Sequence, residues 1–267
     1  MVVVRKCNIK ELKMNFENKT VVITGASSGL GLLASKCFIK EGANVAMLAT
    51  NRSKLIEKVC EVNECGSGTG KAIGISVDVR FYDQIYEACK SAFETFGSID
   101  VVINCAGGSE YRIKEVKPGT EFFDVPIAVY DWGLDVNLKG QFYMGHIAMK
   151  YMSRQNSGVI INIGSITGAE GSTTDVAYST AKSGVMHGLT QSLALVGAPY
   201  GIRCCCVSPG PVLTRPAMSK MKTLLCRAAE PEEIVDLILY LSSEKAGFIT
   251  GVNYLIDGGR LLLKNKL

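Results

Sequence analysis

Neither a long uncharged apolar run nor a cluster of like charge occurs in this 267-residue chain. Val2-Val3-Val4 near the start is followed by Arg5, Lys6, Lys10, Glu11 and Lys13, which excludes an apolar signal core there. No other segment is apolar for long enough to span a bilayer. The net charge of +4 is spread thinly, with no basic stretch interleaved with aromatics, which argues against nucleic acid as a partner. The ten cysteines include no Cys-x-x-Cys pair and scatter through apolar segments, so neither a disulfide framework nor a metal site is expected. Cys204, Cys205 and Cys206 sit in a strand-like run, where neighbours face opposite ways and cannot chelate one ion together. A soluble, cytoplasmic protein with no membrane partner is the expectation.

What is present is an ordinary globular balance, 47% hydrophobic and 20% charged, with no repeat and no composition break. One domain over 1–267 is expected. Short runs rich in β-branched residues, at 20–24, 44–50, 71–77, 101–104, 158–163, 202–207 and 253–256, alternate with segments of helical period at 29–41, 52–65, 81–96, 128–153, 177–198 and 231–242. That alternation predicts an α/β fold: a doubly wound, Rossmann-type, seven-stranded parallel sheet with helices on both faces. The irregular stretches 109–126 and 211–230 follow strands and are the candidate substrate loops.

The first strand runs into the first helix through Gly25-Ala26-Ser27-Ser28-Gly29-Leu30-Gly31. Gly25 permits a tight bend, Gly29 lets the backbone approach a pyrophosphate, Gly31 allows close helix packing, and the helix start at Ser27, Ser28 and Leu30 offers free N–H groups to an anion. The ribose-binding acid expected about 20 residues further on is missing. Thr50, Asn51 and Arg52 stand there instead and could donate hydrogen bonds to a 2′-phosphate, which favours NADP(H), with NAD(H) the alternative. Arg52 can also be read as an exposed residue opening a helix.

Tyr178 and Lys182 are four apart at the start of a predicted helix and share a face. Ser165 ends a strand 13 residues earlier, at the sheet edge where ligands bind. A phenol of pKa about 10 needs help to trade protons near neutrality; an ammonium at roughly 5 Å would favour the phenolate by about 3 kcal/mol, and Ser165 could donate to a substrate oxygen. This set is suited to interconverting an alcohol and a ketone.

The T-G-x-x-x-G-x-G spacing and the Tyr-x-x-x-Lys pair resemble the short-chain dehydrogenase/reductase family, over about residues 18–259. The resemblance implies a catalytic set of Asn137, Ser165, Tyr178 and Lys182, with Asn137 helping to hold a water that links Lys182 to solvent. It also implies cofactor contacts at Asp78 and Val79, at Asn104, Ala106 and Gly107, at Tyr178 and Lys182, and at Pro209, Gly210, Val212 and Thr214 beside the carboxamide. Read from residue type alone, Asp78 is a turn former, Asn104 a backbone brace and Asn137 an amide serving helix backbone at a kink. His146 and His187 match no catalytic position and are read as surface or interface residues.

A small-molecule substrate follows, with polyols and sugar acids ranked before 3-oxoacyl thioesters and steroids. A protein that binds NAD(P) without catalysis is the alternative of another class. Family members commonly assemble through the two long helices, here carrying Met144, Ile147, Ala148, Met149 and Tyr151, so a homotetramer is expected, with a homodimer as the alternative.

Overall fold

The computed structural model describes residues 14–66 and 68–263; the ends of the expected domain, 1–13 and 264–267, lie outside the described residues. Seven described strands, β1 (Thr20–Thr24), β2 (Asn44–Ala49), β3 (Ala72–Ser76), β4 (Val101–Asn104), β5 (Gly158–Ile163), β6 (Ile202–Pro209) and β7 (Asn253–Ile256), form one sheet in the order β3-β2-β1-β4-β5-β6-β7. Every pairing is parallel. The connecting helices are α1 (Gly29–Lys40), α2 (Arg52–Glu64), α3 (Tyr82–Phe96), α4 (Glu110–Ile113), α5 (Ile127–Leu134), α6 (Gly140–Gln155), α7 (Thr167–Glu170), α8 (Val176–Gly184), α9 (Thr190–Gly197) and α10 (Pro231–Ser242).

Alternate residues of the strands enter opposite cores, as a two-residue period requires. Val21, Ile23, Val45, Met47, Ile103, Ile161, Cys205 and Val207 pack with Phe38 of α1, Leu55 of α2 and Ile234 and Ile238 of α10. Val22, Ala46, Leu48, Val102, Ile160, Cys204 and Cys206 pack on the other face with Ile85 of α3, Met144 and Ile147 of α6 and Leu193 of α9. Burial on both faces is why the central strands read as unbroken apolar runs. The Cys204-Cys205-Cys206 triplet divides between the two cores, each thiol filling space.

The strand order reverses between β1 and β4, whose carboxyl ends, Thr24 and Asn104, lie in register. The crevice at such a reversal is where open α/β sheets bind ligands. Chains following β1, β4, β5 and β6 therefore converge on one edge.

Two corrections to the helical expectations emerge. The segments 128–153 and 177–198 are not continuous α-helices: each contains a π-helical turn, Asp135–Lys139 and Val185–Leu189. In both, a side chain takes a backbone carbonyl: Asn137 Nδ2 donates to Gly133 O at 2.9 Å, and Thr190 Oγ1 to Val185 O at 2.6 Å. Competition of this kind widens a helix locally, and such turns gather at functional sites. The second correction concerns the apolar residues offered as a sign of association. Met144, Ile147 and Ala148 are fully buried in the chain's own core, and Met149 and Tyr151 pack against it. The apolar side chains that these helices do expose are Phe142, Leu195 and Val196.

Candidate active site

The nucleotide end is shaped by close backbone contacts. Gly25 adopts φ +67°, and a Cβ there would lie 2.9 Å from Ala106 Cα; a Cβ on Gly31 would lie 2.5 Å from Gly25 O. Around Gly29 (φ +53°) nothing lies within 4 Å of a Cβ position, so its backbone is open to an incoming group. Ser28 precedes α1 in extended conformation, its side chain caps nothing, and the first turn carries no acid. The donors of the helix start are left for an anion.

A cavity of about 480 Å³ extends from this turn, lined by Gly25, Ser27, Ser28, Thr50, Asp78, Val79, Ala106 and Gly107. The Asp78 carboxylate is held by the Arg80 guanidinium at 2.6 Å, which lowers its pKa. Asn51 and Arg52 are not among the residues lining this cavity. Asn51 Oδ1 accepts from the Lys54 N–H at 3.0 Å and caps α2, while Arg52 is exposed at the first helical position. Asn104 is buried below the crevice, where its Nδ2 donates to Asn162 Oδ1 at 2.9 Å and its own Oδ1 has no protein partner. The glycine cradle, the open helix start and the orphaned amide oxygen fit a dinucleotide.

A second cavity of about 370 Å³ adjoins along the same sheet edge and is lined by Leu30, Ser165, Tyr178, Pro209, Gly210, Val212 and Thr214. A hollow of about 440 Å³ on the opposite, amino-terminal edge, among Lys19, Asp100, Gly158 and Arg203, contains none of the candidate residues.

Tyr178 and Lys182 share a face of α8, with Lys182 Nζ 5.6 Å from the centre of the phenol ring. Lys182 is only 3% exposed, and its Nζ donates to Ile163 O at 2.6 Å. Asn137, in the first π-turn, accepts from Gly108 N at 2.9 Å and donates to Gly108 O at 3.0 Å and Gly133 O at 2.9 Å. Both amide donors thus serve backbone, and the side chain staples the segment after β4 to the π-turn. Gly107 lies between: a Cβ there would be 2.5 Å from Asn137 Oδ1 and 3.4 Å from Lys182 Nζ. Only glycine lets these two residues close around the chain.

Burial works against the lowering of the phenol pKa expected from a nearby ammonium. Burial raises the Tyr178 pKa, opposed by the Ser165 hydroxyl and by the Arg215 and Arg112 guanidiniums, with Asp175 adding to the rise. Burial also pulls the Lys182 ammonium down to about 8. At pH 7 the free protein therefore presents a neutral phenol beside a charged lysine.

Sequence reasoning missed several groups. Gln141, four residues after Asn137, is buried and donates from Nε2 to the carbonyls of Asn137 and Ile163, each at 3.2 Å, sharing the latter with Lys182. Glu110, also fully buried, accepts from Ala177 N at 2.9 Å and Tyr178 N at 3.1 Å. It caps α8 from α4, because the residue preceding α8, Asp175, makes no cap bond and instead accepts from the Ser109 hydroxyl. Burial raises the Glu110 carboxyl pKa. A glutamine on an apolar helix stripe was the one available signal; Glu110, 68 residues from Tyr178, gave none. Arg112 and Arg215 line the second cavity from the two substrate loops.

A parallel sheet with a glycine cradle at its switch point, next to a tyrosine–lysine pair on one helix, defines a nicotinamide-dependent α/β oxidoreductase. The short chain dehydrogenase family model matches residues 19–224. The chain belongs to this family. It is 33% identical over 256 residues to an L-rhamnose 1-dehydrogenase (NAD(P)(+)) of Sphingomonas sp. (strain SKA58), covering 91% of this chain and 96% of that one. It is 35% identical over 249 residues to a trans-4-hydroxycyclohexanecarboxylate dehydrogenase of Sinomonas cyclohexanicum, covering 90% and 92%. A 3-oxoacyl-[acyl-carrier protein] reductase with bound NAD from Brucella melitensis superposes with a TM-score of 0.82 at 27% identity, covering 97% of both chains.

Two outcomes follow from the buried charges. A lysine lowered from 10.5 to about 8 costs the fold roughly 3 kcal/mol at pH 7, because the unfolded chain binds that proton more tightly. Urea unfolding should show Lys182→Met gaining stability relative to the parent at pH 7, the gain shrinking as pH rises through 8 towards 10; a pH-independent difference would contradict the burial. Glu110→Ala strands two helix N–H groups and should lose about 1–3 kcal/mol, most of it restored in Glu110→Gln, which keeps an acceptor.

Proposed function

We propose that the chain moves a hydride between a nicotinamide cofactor and a secondary alcohol or its ketone, on a small polar substrate such as a polyol or sugar acid. The observation that carries this is the placement of Tyr178 and Ser165 on the wall of the cavity that adjoins the glycine cradle, with the buried Lys182 ammonium behind the phenol ring. The residues 1–267 are taken as one NAD(P)-binding domain.

Gly25, Ser27, Ser28, Gly29, Leu30 and Gly31 would hold the pyrophosphate, Asp78 and Val79 the adenine, and Asn104, Ala106 and Gly107 the middle of the cofactor. Pro209, Gly210, Val212 and Thr214 would receive the carboxamide. Thr50, Asn51 and Arg52 would meet a 2′-phosphate, which makes NADP(H) the favoured cofactor over NAD(H). A nicotinamide held there would supply or accept the hydride and, when oxidised, would bring positive charge to the site. Everything else is done by the chain. Ser165 donates to the substrate oxygen, where negative charge grows. Tyr178 gives that oxygen its proton in reduction and removes it in oxidation. Lys182, charged at neutral pH, stabilises the phenolate form. Asn137 and Gln141 hold the carbonyls and turns against which Lys182 is set.

A cytoplasmic location goes with the nine free cysteines found among the described residues. A homotetramer, or failing that a homodimer, would bury Phe142, Leu195 and Val196; light scattering of a stable monomer at working concentration would reject it.

Tyr178→Phe should abolish turnover, falling at least 100-fold as expected for loss of a general acid–base, while the cofactor dissociation constant stays within a few-fold. Substantial turnover in that variant would overturn the mechanism. The dissociation constant for NADPH should be lower than that for NADH, and Arg52→Ala should narrow the gap; tighter binding of NADH would reverse the cofactor reading.

A further inference from the structure

The wall of the catalytic cavity carries charge that the hydride chemistry does not use. Arg112, on α4, and Arg215, following β6, reach it from the two substrate loops, segments distant in sequence brought to one opening. Four other guanidiniums are spent on partners, Arg80 on Asp78, Arg227 on Glu233, Arg260 on Glu170, and Arg203 on the carbonyls of Leu241, Ser243 and Ile249, while Arg52 and Arg154 are exposed on helices away from this cavity. Among the described residues, Arg112 and Arg215 have no carboxylate within ion-pair distance. Arg215 Nη2 only approaches Met218 Sδ at 3.7 Å. The Arg112 guanidinium lies over Gly108, where a Cβ would come within 2.8 Å of Nη2. It thus rests on the same segment that Asn137 staples beside Lys182.

We infer that Arg112 and Arg215 form a carboxylate subsite, so that the substrate is a hydroxy acid or oxo acid whose anionic end is held between them while its carbinol or carbonyl faces Tyr178 and Ser165. This rests on the dehydrogenase reading above and names its substrate class. The charge count selects the anion. Asp175 lines the same cavity and its carboxylate accepts from the Ser109 hydroxyl, leaving two guanidiniums against one fixed negative charge. A net charge near +1 suits a monoanionic carboxylate better than a phosphate dianion. The planar fork of arginine matches a carboxylate in two-point contact, a recognition that the uncharged hydroxyls of a polyol do not reward in the same way. Both guanidiniums also act on Tyr178, lowering its pKa against the effect of burial; a bound carboxylate would neutralise them and return the phenol towards its proton-donating form.

The test pairs a binding readout with a turnover readout. Calorimetry on the protein saturated with reduced cofactor should show cyclohexanecarboxylate binding at least about tenfold more tightly than cyclohexanecarboxamide, with that preference lost in Arg112→Met and in Arg215→Met and partly kept in the lysine variants. Tyr178→Phe should retain the preference, since it touches proton transfer alone. In turnover, 4-hydroxycyclohexanecarboxylate should be oxidised with a higher kcat/KM than its carboxamide, and each methionine variant should raise KM for the acid about 30-fold relative to KM for the amide. Equal binding of acid and amide, or methionine variants that weaken cofactor binding instead of carboxylate binding, would overturn the subsite. Arginine-dependent carboxylate binding without oxidation of any alcohol would sustain the subsite and sink the dehydrogenase reading. Oxidation of amide and acid alike would do the reverse.

Discussion

One buried ammonium constrains the catalytic end of this molecule. Lys182 is almost wholly removed from water, where a charged amine is costly unless its hydrogens are taken up. Ile163 O, at the end of β5, takes one at 2.6 Å. Gln141 reaches the same carbonyl and that of Asn137, fixing strand end and π-turn together. The missing side chain of Gly107 leaves the room in which Asn137 and Lys182 close on the chain. The pattern is that of a protein accepting a local stability cost to hold one charge beside one phenol.

The fold supplies the convergence that this arrangement needs. Tyr178 and Lys182 arrive on α8, Ser165 on the segment after β5, Gly107 and Glu110 after β4, and Asn137 in the turn between α5 and α6. Parallel strands bring their carboxyl ends to one edge, and the order reversal between β1 and β4 opens the crevice there. Glu110 then adds a cross-chain cap, tying the first substrate loop to the backbone N–H of the reacting tyrosine. Loop order and catalytic geometry are mechanically joined by that carboxylate.

The architecture was legible because burial on both faces writes itself into composition: the central strands are predominantly apolar on both faces, and each was found within a residue or two of its expected bounds. The glycine turn was legible for a similar reason, since close backbone contacts at Gly25 and Gly31 tolerate no side chain. Less visible were features set by geometry between distant segments. A π-turn keeps helical composition, so Asp135–Lys139 and Val185–Leu189 were hidden inside their helices. Met144, Ile147 and Ala148 showed an apolar face without showing whether core or partner covers it. The direction of the Tyr178 shift depends on how far burial outweighs nearby charge, which spacing along the chain does not encode.

Burial raises the pKa of the phenol, and the account requires the neighbouring ammonium to lower it once oxidised cofactor is present. With an ammonium at roughly 5 Å from the phenolate charge and an effective dielectric near 20, the phenolate should be favoured by about 3 kcal/mol, on the order of two pKa units. The direct measurement is the ionisation of Tyr178, followed by the carbon NMR shift of its labelled hydroxyl-bearing ring carbon in enzyme saturated with oxidised cofactor, beside the same titration in Lys182→Met. A midpoint at least about one unit lower with lysine present is the predicted result. Coincident midpoints, or a lower one in the methionine variant, would show that the ammonium does not set the acidity of the phenol.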